Sequence, residues 1–332
     1  TVGFSDRGTD EREDAAAVAR ALGTDHVATE VRPDLTDVLP RVAWHLDEPF
    51  ADPSSVPTWY VSRETRRRVT VALSGDGGDE LFGGYKRYAE SAALARLGGF
   101  LATPGRSAAR QAAGGLRVGS FARRALERVA ERDFALYHHA LGWAPEFLTL
   151  LAPEVRAALG PPEEQEAFAD FHRPEEADFL DRCRYMDLHN YLPDQVLVKA
   201  DRAAMRHALE VRCPLLDQEV VEVALRMPAA RQLNRSRQKL LLRKLAERYV
   251  PRALVDRPKQ GFAVPLGRWL RGPLAPLLRE ALADRPSLAW RFFDRAEAER
   301  RFAEHLGGRV NHEKSLWRLL VFHAWAAREA AA

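Results

Sequence analysis

The sequence predicts an α/β fold: a small parallel sheet near the N-terminus with a large, mostly helical layer built onto it. Two patterns carry this. Over the first hundred residues, short β-branched runs alternate with apolar residues at helical spacing, the signature of strands joined by crossover helices. Beyond Phe121, strand signals become scarce and helical patterns follow one another, over 178–191, 196–209, 218–226, 238–249 and 313–328. The expected division is 1–100 for the α/β core and 101–332 for the helical part of the same domain.

Taken in order, Thr1–Phe4 reads as the end of a strand already in progress, which suggests a piece of a longer chain. Asp10 followed by Glu13 forms a capping-box pattern. Ala17, Val18, Ala21 and Leu22 then make an apolar stripe, and Gly23 ends that helix. Residues 26–31 alternate and read as a strand. Leu35, Val38, Leu39, Val42 and Leu46 keep helical spacing. Residues 47–57 hold three prolines and read as a loop, 58–68 as a helix, and 69–73 as a short buried strand. Residues 98–119 are rich in Ala, Gly and Arg with weak periodicity, and read as a poorly specified segment or boundary.

Composition excludes several function classes. With 332 residues, 46% apolar and 29% charged, the chain can bury an ordinary core beneath a charged surface. A net charge of +3 gives no general case for nucleic acid or membrane as partner. No apolar run reaches the about 18 residues of a membrane span, and no signal peptide is visible. The two cysteines, Cys183 and Cys213, have neither metal spacing nor a disulfide framework. Free thiols and a cytoplasmic setting are expected. Oligomeric state is not legible, and a homodimer is compatible with all of this.

The chemistry concentrates after the 69–73 strand, in Ser74-Gly75-Asp76-Gly77-Gly78-Asp79-Glu80. Three glycines in seven residues suit a tight turn and let backbone approach a ligand. A strand, a glycine loop and a helix in succession aim backbone N–H groups at an anion. The loop's three carboxylates would repel bare phosphate, so a phosphate here implies a bridging divalent cation with oxygen ligands, Mg²⁺ above all. The competing reading is a strand–helix turn with solvated acids, which does not need that density of glycine and carboxylate.

The stretch SGDGGDELFGGYKRY, residues 74–88, resembles the signature of the asparagine synthetase family in its ATP-dependent domain. So do TVGFS at 1–5, DEPFADPSSVPTWYVSR at 47–63, LPDQVLVKADRAAMRHALEVRCPLLD at 192–217 and RPKQGFAVPLGRW at 257–269. The resemblance runs in the family's order over nearly the whole chain. It implies the adenine nucleotide alpha hydrolase-like (ATP pyrophosphatase) type of sheet. It also implies a reaction. ATP adenylates the side-chain carboxylate of aspartate and releases pyrophosphate. Ammonia then displaces AMP to give asparagine.

By the same resemblance, Val2, Ser74 and Gly75 match nucleotide-binding positions. Asp76 matches an acidic position tied to forming the acyl-adenylate, where many members carry the longer glutamate. Asp79 matches a Mg²⁺ ligand with Glu80 beside it, although a first-turn acid also suits a helix dipole. Tyr85 could position substrate or assist proton transfer, or simply cover the sheet edge. Lys259, in a loop shaped by Pro258 and Gly261, matches a lysine that faces the phosphates and the developing charge. Asp47, Glu48 and Asp52 read first as loop and cap residues. Glu210 and Arg212 read as part of a buried ion-pair network. Lys199 and Asp201 stay open between that network and the acceptor pocket, as does Asp194 as a second partner for Tyr85.

Family members carry a serine-glycine-glycine loop upstream and an N-terminal glutaminase domain that supplies ammonia. Neither motif occurs in these 332 residues, so this stretch alone is expected to be inactive. Two alternatives stand beside the leading one. The same adenylation could act on another carboxylate, in β-lactam or peptide cyclisation or surface-polymer amidation. Or the chain could be a non-catalytic nucleotide-binding module.

Overall fold

The computed structural model describes residues 1–4, 10–99, 103–116, 121–131, 133–140, 145–159, 166–173, 177–228, 231–234, 237–256 and 264–329. The described strands form two parallel pairs. β1 (Val2–Phe4) pairs with β2 (Thr29–Val31), with Val2 opposite Thr29 and Phe4 opposite Val31. β3 (Val71–Leu73) pairs with β4 (Glu210–Arg212), with Val71 opposite Glu210 and Leu73 opposite Arg212. No ladder joins the two pairs among the described residues. The rest is overwhelmingly helical, in accord with the α/β fold and its helical layer.

Local chemistry explains the first elements. Helix α1 (Arg12–Leu22) ends at Gly23, whose φ of 66° closes the last turn as a glycine cap should. Its start departs from the expected capping box. Asp10 turns its carboxylate to the Arg12 backbone N–H and guanidinium, and Glu11 occupies the cap position with no side-chain capping bond to the helix. An arginine two residues on offers a stronger, charge-assisted partner than a lone amide. Helix α2 (Leu35–Leu46) buries Leu35, Val38, Leu39, Val42 and Leu46 on one face, and Asp34 caps it by accepting from the Thr36 and Asp37 amides. Helix α3 (Ser55–Arg66) starts three residues before its expected position, using the end of the proline loop as its first turn.

The largest apolar core gathers Val31 of β2, the inner faces of α2 and α3, and the C-terminal helices through Leu270, Leu278 and Trp317. Residues from both sides of position 100 therefore share one core. A second core surrounds Tyr88, Tyr137, Phe171 and Met186, and a third joins Leu81, Phe82 and Ala224. The β3 strand is not buried as expected: Val71 and Leu73 are 43% and 74% exposed. Its only bonded neighbour among the described residues is β4, and the main core has formed around β2 and α2 instead.

Two segments of the helical layer differ from expectation. Residues 103–114 form a helix, Thr103–Gly114, because alanine and arginine favour helix even where apolar periodicity is weak. The 178–191 pattern begins correctly at Asp178, which caps Phe179–Met186 by accepting from Leu180 and Asp181. It then widens into a π-helix over Asp187–Leu197 that contains Pro193. A proline has no N–H to give the preceding turn, and a looser ladder absorbs that loss. The helix Val198–Met205 follows and packs on α3. None of the helices in the described residues is long and apolar enough to cross a membrane.

Candidate active site

β3 delivers the chain into the 74–80 loop. Ser74 is held by its amide on the Arg212 carbonyl of β4, 2.8 Å away. Its hydroxyl donates to Asp76 Oδ2 at 2.9 Å and lies 3.3 Å from the Cys213 thiol. Gly75 is exposed at the tip, so its backbone is open to a ligand. Gly77 has φ 83°, and a Cβ there would stand 2.2 Å from Leu216 Cδ2. Only glycine satisfies both constraints.

The helix that follows is a single turn. Helix α4 spans only Gly78–Leu81, and the Gly83-Gly84 turn separates it from α5 (Lys86–Gly99). One turn carries little dipole, so an anion here would have to be met by loop backbone and by cations. The structure supplies a cation that the sequence reading missed. Lys239 Nζ lies 3.2 Å from Asp79 Oδ1. Its side chain crosses Gly84, where a Cβ would stand 2.3 Å from Lys239 Cε and 1.9 Å from Asp79 Oδ1. The Lys239 backbone itself is left-handed, φ 54° and ψ 41°. A non-glycine residue held there is a strained position of the kind that clusters at functional sites. A lysine amid polar residues at 231–239 gave no sequence signal of this.

The two adjacent acids part company. Asp79 is half-buried at the loop, paired with Lys239. Glu80 is 1% exposed and accepts from the Tyr85 hydroxyl at 2.6 Å. Burial raises the Glu80 carboxyl above its ordinary range, and Tyr85's hydrogen bond only partly opposes that. Burial likewise raises the Tyr85 phenol, with the Glu80 charge adding to it. No group of three Asp, Glu, His or Cys poised to hold a metal occurs among the described residues. Asp79 and Asp76 offer at most two carboxylates. That is a fitting number for Mg²⁺ arriving on phosphates, which completes its shell with phosphate oxygens and water.

The 47–57 loop is fastened to the helix Val198–Met205. Lys199 Nζ lies 3.0 Å from Asp52 Oδ2 and 2.8 Å from Ser54 Oγ. Arg202 reaches Glu48 at 2.9 Å and the Leu46 carbonyl. Burial pushes Asp52 up, but Lys199 and the Ser54 bonds outweigh it and hold the carboxyl below its usual range. Tyr191, on the π-helix, packs beside the 74–88 segment. Its ring meets Tyr85 edge-on at 5.7 Å, and its hydroxyl feels Arg87, Asp52, Asp187 and Glu80. Asp194 is exposed, and Tyr85 turns to Glu80. Glu210 and Arg212 pair at 2.7 Å but are exposed rather than buried, because they project from the same face of the uncovered β4.

Of the expected site residues, Ser74, Gly75, Asp76, Asp79, Glu80 and Tyr85 lie together on one loop and its flanks. Val2 sits on β1 in the other strand pair, half-buried against the main core. Lys259 falls in residues 257–263, outside the described residues.

A parallel strand pair opening into a glycine- and carboxylate-rich loop, under a helical layer, defines the class as an α/β domain of the adenine nucleotide alpha hydrolase-like type. The family model described as asparagine synthase matches residues 1–327, and the chain belongs to that family. It is 37% identical, over 98% of its length, to a protein of Mycobacterium tuberculosis named as an asparagine synthetase (glutamine-hydrolyzing). It is 29% identical, again over 98% of its length, to asparagine synthetase (glutamine-hydrolyzing) 1 of Bacillus subtilis. A shorter match, 54% identical over 52 residues, is to a protein of similar name in Methanocaldococcus jannaschii. The chain spans about half the length of the first two, 50% and 51%.

Proposed function

We infer that this chain forms the ATP-dependent part of a glutamine-hydrolysing asparagine synthetase. In this reading aspartate attacks the α-phosphorus of ATP through a side-chain oxygen, and pyrophosphate leaves. Ammonia then attacks the acyl carbon of β-aspartyl-AMP, loses a proton, and AMP leaves. In the same reading the ammonia comes from glutamine, hydrolysed outside the stretch that this chain spans. The single observation that carries the reading is the 74–84 loop with Lys239 laid across it. There a hydroxyl, open backbone, two carboxylates and a cation meet at the carboxyl end of a strand, where α/β sheets bind ligands.

Each group has a task suited to its surroundings. Ser74 and Gly75 contact the nucleotide, with Val2 on the adenine side. Asp76 faces the reacting carboxylate. Lys239 and Lys259 neutralise phosphate charge that two meeting anions would otherwise repel. Asp79 and Asp76 would hold Mg²⁺ brought by ATP, and it would supply charge neutralisation on the phosphates. Glu80 is buried, bonded to Tyr85 and raised above the ordinary carboxylate range. It is suited less to a cation than to accepting the proton that ammonia loses.

The test is pyrophosphate release from MgATP by the full-length gene product, with aspartate and with other carboxylates. Aspartate-dependent release is expected, falling about 100-fold or more in Asp76→Ala and Lys259→Ala, the scale of a lost transition-state contact. Release with a different carboxylate would keep the chemistry and change the substrate. A well-folded protein with no release would sink the reading in favour of a non-catalytic nucleotide-binding module.

A further inference from the structure

Behind Tyr85 lies a buried charge that the reaction above does not use. Asp187, at the first residue of the π-helix, is 0% exposed. Its Oδ2 accepts three bonds: from Arg87 at 2.7 Å, Tyr88 at 2.6 Å and Tyr137 at 2.7 Å. Its Oδ1 is buried without any hydrogen-bond partner. Three donors on one oxygen and none on the other is an unbalanced arrangement for simple bracing. It is organised around Arg87, the only cation among those donors.

Arg87 is held by two hydrogen bonds and flanked by two aromatic rings. Nε donates to Tyr137 Oη at 2.9 Å while the outer nitrogen meets Asp187. The guanidinium carbon lies 3.6 Å from the centre of the Tyr85 ring and 4.6 Å from that of Tyr191. A planar cation stacked so closely dictates the plane of the Tyr85 ring. The O–H bond prefers to lie in that plane, so the ring's orientation directs the Tyr85 proton toward Glu80. A lysine would preserve the charge beside Asp187 but has no plane to stack and no fork to reach Tyr137.

We propose that Arg87, anchored on Asp187, is a positioning residue that fixes the Tyr85 ring and thereby the Tyr85–Glu80 hydrogen bond. The proposal rests on the reading of Tyr85 and Glu80 as part of the site. It differs from a packing role in one respect: its effect passes entirely through the Tyr85 hydroxyl. Arg87→Ala would leave the Asp187 charge unpaired in a core and threatens folding, so Arg87→Lys is the informative variant.

Two measurements on the full-length protein decide it, each with thermal melting to confirm that Arg87→Lys folds. The first is NMR of the Tyr85 hydroxyl proton, assigned by its loss in Tyr85→Phe. A short bond to a buried carboxylate should give a protected resonance in the wild type, which Arg87→Lys should lose. If Arg87→Lys keeps that resonance unchanged, the proposal is overturned, whatever the enzyme's substrate. The second is a double-mutant cycle on pyrophosphate release and amide formation. Arg87→Lys should lower kcat about tenfold, a modest loss for misplacing a catalytic group, with KM for ATP within about twofold. In a Tyr85→Phe background it should have almost no further effect, since the two act through one contact. Additive losses would overturn the proposal. If the wild type releases no pyrophosphate with any carboxylate, the reading of function has failed, and the hydroxyl resonance alone still decides on Arg87.

Discussion

Lys239 is the residue where stability and the candidate site pull in opposite directions. Its left-handed backbone disfavours any side chain with a Cβ, typically by about 1 kcal/mol or more, yet only a long cation there can span Gly84 to Asp79. Lys239→Gly should therefore unfold at or above the wild-type urea midpoint while losing MgATP affinity. Lys239→Ala should lose that affinity without the gain in midpoint. Equal midpoints for the two variants would show that the strain is not there. The residue scale also marks what the sequence could reveal. Ser74, Asp76 and Asp79 were legible because glycines and acids crowd into seven positions. Lys239 was not, because its meaning comes from a backbone angle and from a glycine 155 positions away by count from 84 to 239. Glu80 was legible only as an acid beside Asp79. Its turn toward Tyr85 depends on burial that spacing does not reveal.

At the scale of elements, capping residues and apolar stripes were the readable part. The α2 stripe appears in the structure position for position, and Asp178 starts its helix where the pattern begins. Removing that cap by Asp178→Ala should cost about 1 kcal/mol. Because the capped helix runs directly into the π-helix, faster amide exchange should spread from Leu180 toward Asp187. Exchange confined to the first turn would argue that the two segments are uncoupled. The widening itself was hidden. Pro193 announces a disturbance of the ladder but not whether the helix bends, breaks or loosens. The structure loosens it, and so places Asp187 beside Arg87 and Tyr191 beside Tyr85.

The whole molecule adds a dependence on pH. The His207 ring packs edge-on against Trp59 at 4.8 Å, and its Nε2 is buried with no partner. Burial, aided by Arg206 and Arg63, lowers its pKa from 6.5 to about 4. The folded state thus holds the neutral ring where the unfolded chain would take a proton. Its contribution is complete above pH 6.5 and declines as pH falls toward 4. Melting temperature should drop between pH 7.5 and 5, and His207→Phe, which keeps a ring against Trp59, should drop less. An identical decline in both proteins would assign the acid sensitivity elsewhere. At this scale the sequence conveyed the class of fold and the order of its parts. It did not convey which strands would pair, since three-residue strands carry almost no register information and the partners of β3 and β1 lie 139 and 27 residues further on by register.

The exposed β3 strand has a bearing on how this chain behaves in company. Val69, Val71 and Leu73 alternate onto one uncovered face, at 44%, 43% and 74% exposure, and β3 has a single bonded neighbour among the described residues. A short apolar strand with one bonded neighbour among the described residues can act as a template for intermolecular strand addition. A net charge of +3 spread over 332 residues offers little repulsion against it. A charge on that ribbon, as in Val71→Lys, should raise the concentration up to which the chain stays monomeric in light scattering, and an unchanged onset of association would place the sticky surface elsewhere.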